Sequence, residues 1–190
     1  MSAICAVVAR DGMPAESLWI APLLTAAAHR GAERRYAVRT GAVLGCQHAP
    51  GVTGACVARL HDCTIAFHGR LDNRAEIRAA IGAEPSRPAP AADDDAALVL
   101  RAFAAWQDGC AARLVGDFAF VIHDDTRRRV YAARDALGVK PLYYYVDGRR
   151  FVAATELTQV LASGVPRAPC EPFVAELLAF DVRSRHETLY

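Results

Sequence analysis

Between Arg113 and Thr155 the chain falls into four apolar runs, RLVGDFAFVIHDDTRRRVYAARDALGVKPLYYYVDGRRFVAAT. Phe118, Phe120 and Ile122 alternate with Ala119 and Val121, so this strand is apolar on both faces and suits burial between two layers. The polar run from His123 to Arg129 turns the chain, and Val130 to Ala133 reads as a second short strand. Gly138 and Pro141 punctuate the next connection. Leu142 to Val146 follows as a third strand, and Asp147-Gly148 favours a type I′ hairpin into a fourth, Phe151 to Thr155. The pattern predicts four successive antiparallel strands.

Elsewhere the periodicity gives a first strand from Ala3 to Ala9 and a helix over Leu18 to His29, with Leu23, Leu24 and Ala27 on one face and Gly31 at its end. A hairpin over Gly41 joins Tyr36–Thr40 to Ala42–Gln47, and Thr64 to His68 is a further strand. Asn73 with Glu76 resembles a capping box for a helix reaching Ala80. Gly82 to Ala92, with Pro85, Pro88 and Pro90, reads as a surface loop within the domain. Asp93 to Asp95 then open a helix carrying Leu98, Val99, Ala102 and Phe103. Helices over Glu156–Ser163 and Glu171–Phe180 close the chain, the last offering Phe173, Leu177 and Phe180. Many short strands with helices at the start, middle and end indicate an α+β domain, its sheet buried against helix.

Length and composition narrow the function classes. A chain of 190 residues, 53% hydrophobic and 23% charged, supports one good core. A net charge of +1 provides no basic field for nucleic acid, and no apolar run is long enough for a membrane span, so neither is expected as a partner. The N-terminus lacks the basic and apolar regions of a signal peptide, which predicts a cytoplasmic protein whose six cysteines are reduced thiols. Cys46 and His48 lie two apart, as do His61 and Cys63, so these four could ligate zinc; neither pair has the spacing of a known module, and ordinary sheet residues are the preferred reading, with no metal expected. Arg127 to Arg129 with Arg149 and Arg150 read as a solvated turn, or less simply as a basic edge for an acidic peptide.

The segments GDFAFVIHD, ARDALGVKPLYYY and RFVAATE, in that order and spacing, resemble the glutaminase-like domain at the N-terminus of asparagine synthetases and their relatives. That family includes the β-lactam synthetases and the macrolactam synthetases that close lasso peptides. The resemblance implies a four-layer αββα sandwich of antiparallel sheets, like that of N-terminal nucleophile hydrolases. It divides the chain into a glutaminase-like domain over 1–180 and the start of a linker over 181–190, leading to a synthetase domain in the same chain or a separate one.

The same resemblance implies a set of site residues. Active members carry a cysteine directly after the initiator methionine, activated by its own α-amino group, which titrates near pH 8. Here that position is Ser2, whose hydroxyl is far less acidic, and a retained Met1 would leave it no free amine. Cys5 cannot substitute, because three residues along a strand displace a side chain by about 10 Å and to the opposite face. The family's oxyanion-hole Asn-Gly is His68-Gly69 in this chain, and losing one such donor costs about 10²- to 10³-fold in rate. The arginine that would clamp the glutamine carboxylate has His48 nearest its place, and imidazole is a poor replacement for a bidentate fork. The aspartate that would bind the α-amino group matches Asp95 best, with Asp94 one step away.

These replacements imply a domain inactive toward glutamine, with no catalytic residue and a vestigial pocket of Ser2, His48, His68, Gly69 and Asp95. The expected role is structural, within an ATP-dependent amide-forming enzyme of the lasso-peptide macrolactam or β-lactam type that uses an internal amine. The alternatives are an active amidohydrolase using Ser2 or a glutamine-hydrolysing asparagine synthetase. No Gly-rich phosphate loop or SGGxDS-like sequence occurs, so no cofactor is expected in this domain, and ATP and Mg are assigned to the synthetase domain. A peptide substrate or a companion biosynthetic protein would be further partners.

Overall fold

The computed structural model describes residues 2–51, 56–82, 94–184 and 187–190. Nine strands are found among them: β1 (Ser2–Ala9), β2 (Glu33–Arg39), β3 (Ala42–His48), β4 (Val57–Leu60), β5 (Cys63–Leu71), β6 (Gly116–Asp124), β7 (Arg129–Arg134), β8 (Tyr143–Val146) and β9 (Arg150–Ala154). The α-helices are α1 (Ala21–Ala26), α2 (Arg74–Ile81), α3 (Asp95–Trp106), α4 (Leu157–Ala162) and α5 (Glu171–Leu178). One antiparallel sheet has the order β2-β3-β1-β9-β8, the other β4-β5-β6-β7.

Three apolar clusters place the layers. Cys5, Val7 and Val43 on the first sheet pack with Leu23 and Leu24 of α1 and Val160 of α4. Ile4, Ala6 and Leu44, from the opposite face of that sheet, meet Ala66 and Val121 of the second sheet. Phe67, Phe118, Phe120 and Ile122 then pack against Leu98, Val99 and Phe103 of α3 and Ile77 of α2. The fold is therefore the four-layer αββα sandwich. Within β6, Phe118, Phe120 and Ile122 face helix while Val121 faces sheet, as its two apolar faces predict.

The four strands of 113–155 exist but do not form one continuous ribbon. β6 pairs with β7 in one sheet, β8 with β9 in the other, and the connection 135–142 carries the chain across. Asp135 organises that crossing: its Oδ1 accepts from Val139 N at 2.9 Å and its Oδ2 from Lys140 N at 2.9 Å. Burial alone would raise its pKa, but the backbone N–H groups around it hold the carboxyl below the usual range.

Other expectations are corrected by local chemistry. The helix over Leu18–His29 is broken into the 3₁₀ turn Ser17–Trp19, α1 and the 3₁₀ turn Ala28–Arg30, with Pro22 in the first turn of α1. Asn73 caps no helix with its side chain; its Nδ2 donates to Arg113 O and its Oδ1 accepts from Val115 N, so the amide joins α2 to the approach of β6. The β8–β9 connection is not type I′, because neither Asp147 nor Gly148 has a positive φ. Instead Asp147 Oδ1 accepts from both Arg149 N and Arg150 N at 2.8 Å. The start of α3 is as expected, with Asp94 Oδ1 accepting from Ala97 N at 2.8 Å. Asp93 and most of the Gly82–Ala92 loop lie outside the described residues.

The reduced state expected for all six cysteines is corrected too: Cys46 and Cys56 form a disulfide, with Cα atoms 6.1 Å apart. Cys46 lies on β3 and Cys56 just before β4, so the bond ties the two sheets together across the layer between them. Cys5, Cys63, Cys110 and Cys170 are free. No helix among the described residues is long and apolar enough to cross a membrane. Three of the five arginines read as a basic edge have local partners: Arg127 pairs with Asp124, Arg129 with Asp108, and Arg150 donates to the carbonyls of Ser163 and Gly164.

Candidate functional site

The amino end of β1 sits at one end of the inter-sheet layer. Ser2 lies on the same face of β1 as Ile4 and Ala6, and its register partner on β3 is His48. Cys5, on the opposite face, is buried against the helices, and burial pushes its thiol pKa far up. It is an inert core residue, as the strand geometry predicts. On the other side of β1, Thr155 closes the backbone just beyond Ser2. Ile4 N donates to Thr155 Oγ1 at 3.1 Å, and Thr155 N donates to Ile4 O at 3.1 Å.

His68 points into the same inter-sheet layer from β5, two residues beyond Ala66. Burial of the ring, with the nearby charges of Lys140 and Arg30 adding to it, lowers its pKa to about 4. The imidazole is neutral near pH 7, and its Nδ1 is buried without a hydrogen-bond partner among the described residues. Around it runs a charged rim that sequence reasoning did not single out. Glu156 accepts from Arg30 and lies 3.0 Å from His29 Nε2. Glu156 belongs to the RFVAATE segment, and that membership was the signal available for it.

Gly69 has a steric reason to be glycine. Its φ is +139°, and a Cβ there would lie 2.0 Å from the carbonyl oxygen of Asp117 on the neighbouring strand. Asp95 is tied to the end of β5 rather than left open: Oδ2 accepts from Leu71 N at 3.1 Å, and Oδ1 is 2.6 Å from Arg74 Nε. His48 is not an open clamp for a carboxylate. It is 1% exposed, its Nδ1 is 3.0 Å from Ala49 O, and it lies beside the Cys46–Cys56 disulfide. The structure thus pairs Ser2 with His48 across β1 and β3, keeps His68 and Gly69 adjacent on β5, and occupies Asp95 with Leu71 and Arg74.

The site brings Ser2, at the start of β1, and His68, from β5, to the space between the two sheets. In chemistry it has a weak hydroxyl and a neutral imidazole. Residues 55–162 match the family described as "Glutamine amidotransferase domain". The chain belongs to that family. Asparagine synthetase [glutamine-hydrolyzing] 3 of Bacillus subtilis is 33% identical over 108 residues, which is 57% of this chain and 17% of that protein. Putative asparagine synthetase [glutamine-hydrolyzing] 2 of Methanocaldococcus jannaschii is 31% identical over 101 residues, 53% of this chain and 19% of the relative. The matched stretch therefore spans less than a fifth of either relative. Among solved structures, glutamine phosphoribosylpyrophosphate amidotransferase from B. subtilis aligns with a TM-score of 0.66 at 17% identity, over 88% of this chain and 44% of that one. That likeness concerns the fold, and it agrees with the layers described above.

Proposed function

We propose that this glutamine amidotransferase domain does not hydrolyse glutamine and serves as the structural N-terminal part of an ATP-dependent amide-forming synthetase. The observation that carries this reading is the pairing of Ser2 with a buried His48. The nucleophile position holds a hydroxyl, and the residue beside it has no fixed charge to hold a substrate carboxylate. His68 adds to it, because a partly buried imidazole offers a different reach and angle from the amide expected at an oxyanion hole. An enzyme whose amine comes from its own substrate needs no ammonia, which favours a macrolactam or β-lactam product. ATP and Mg belong to the synthetase domain in this reading.

The partner surface has support in α5. None of its residues is buried, Leu178 at its end is 75% exposed and Phe180 just beyond it is 97% exposed, so an apolar patch is uncovered among the described residues. A docked synthetase domain would bury it, and a peptide substrate or companion protein would reach the enzyme through that larger assembly. The second reading, glutamine hydrolysis from Ser2, draws on the names of the two relatives. One experiment separates the two: ammonia release from L-glutamine, followed with the complete enzyme and its Ser2→Ala variant. The expected result is release at background for both. Release that Ser2→Ala abolishes overturns the proposal.

A further inference from the structure

We propose that Cys46, His48 and Cys56, once the disulfide is reduced, form a binding site for a thiolate-preferring divalent cation of the Zn²⁺ class. Both sulfurs and a ring nitrogen of His48 lie within 4.8 Å of one another, and all three residues are buried. The ligand types are those of structural zinc centres. His61 and Cys63 do not take part; the third ligand is Cys56, brought in by the segment that leads into β4.

The histidine is the observation that the disulfide leaves unexplained. Its Nδ1 lies 3.0 Å from Ala49 O, and a carbonyl can only accept, so Nδ1 carries the proton. The Glu33 carboxylate, 3.6 Å from the same nitrogen, favours that tautomer. Nε2 is then a lone pair, buried and without a hydrogen-bond partner among the described residues. Buried polar atoms are nearly always satisfied, so an orphan on a ring that lies beside two sulfurs calls for a ligand. Metal-bound histidines commonly present this arrangement, one nitrogen to a carbonyl or carboxylate and the other to the ion. Tetrahedral bonds of about 2.3 Å to sulfur put the two sulfurs about 3.8 Å apart, so the disulfide must open for the ion to enter. Water completes the coordination, since among the described residues no fourth His, Cys, Asp or Glu joins the group.

The chemistry balances with a phosphine as reductant. The phosphine supplies two electrons to the S–S bond and leaves as its oxide with the oxygen of one water, whose two protons go to the thiols. Binding the cation releases those two protons, and His48 contributes its Nε2 lone pair. The site does not depend on whether Ser2 is active, so this proposal and the preceding one fail separately.

The test is an anaerobic Co²⁺ titration of the full chain in a water-soluble phosphine. One equivalent should bind with sulfur-to-cobalt charge transfer and tetrahedral ligand-field bands, and Zn²⁺ should displace it. His48→Gln should weaken binding by about 10-fold or more. Cys56→Ser should abolish the charge-transfer band, while Cys63→Ser and Cys170→Ser leave it intact. In the unmutated protein Zn²⁺ should protect Cys46 and Cys56 from alkylation, a reading that does not require any variant to fold. The proposal is overturned if the folded, reduced chain shows no stoichiometric spectrum or no protection. It is equally overturned if binding is indifferent to His48→Gln, or if the disulfide resists reduction in the folded protein.

Discussion

Two regions of the sandwich differ in how their polar and apolar atoms are satisfied. In β6, every residue from Phe118 to Asp124 is buried, the apolar side chains are packed from both faces, and Asp124 takes Arg127 through both its backbone N–H and its guanidinium. At the amino end of β1, His48 Nε2 and His68 Nδ1 are buried without hydrogen-bond partners among the described residues. In the first region even His123 Nδ1, which makes no hydrogen bond, lies 3.0 Å from Asp125 Oδ1, so its groups are matched by neighbours within the domain, and the second has groups arranged for something else. The sandwich can thus keep its form while the residues at the Ser2 end change, because the contacts that hold the layers together lie mostly elsewhere.

The contrast breaks most visibly if the β6 region is not where stability lies. Phe120 is fully buried, stands among Phe118 and Tyr131 with ring centroids 5.8 Å from each, and fills the layer under α3. Phe120→Ala should cost about 3–5 kcal/mol, read as a lowered urea midpoint with an unchanged slope. Ser2→Ala, measured alongside, should fall within about 0.5 kcal/mol of the parent. Similar losses for the two would remove the distinction between scaffold and site.

Gly69 sharpens the comparison, because it belongs to both regions. A glycine kept only for its N–H in an oxyanion hole would tolerate a methyl group sterically. Here the methyl would strike the Asp117 carbonyl and occupy a backbone conformation that favours glycine. Gly69→Ala should therefore cost about 2–4 kcal/mol in the same unfolding measurement. A stable Gly69→Ala protein would mean that the two strands can separate there, and that the glycine is not a packing residue.

Much of this was legible in the chain, for reasons that particular residues make plain. β6 could be read because alternation of large and small apolar residues is a local property, and the hairpin over Gly41 because β2 and β3 meet directly. The split of β6–β7 from β8–β9 was not legible: it depends on Asp135 holding Val139 and Lys140, a set of backbone contacts that no periodicity encodes. β4 was missed, being only Val57–Leu60 with an exposed Arg59. At the site, Ser2, His48 and His68 were found by position, but the union of Cys46 with Cys56 joins two sheets and has no signature in spacing. For the same reason the role of His48 changed once its surroundings were visible.

The smallest effect concerns His68 and has a definite sign. In the unfolded chain its pKa is about 6.5, and in the fold burial and the nearby cations lower it to about 4. Between those values the folded protein binds fewer protons than the unfolded one, so protonation favours unfolding. The stabilisation is complete above about pH 6.5, is lost as pH falls toward 4, and changes no further below that. With allowance for the partial exposure of the ring, the loss should be about 1–2 kcal/mol. Other titrating groups add a background that is common to the parent and to His68→Gln. The stability difference between about pH 7 and about pH 4.5 should accordingly be smaller in His68→Gln by that amount. Equal pH dependence in the two proteins would mean that the imidazole is hydrated in the fold, and that the Ser2 end is open to water rather than a closed layer with an unmatched nitrogen.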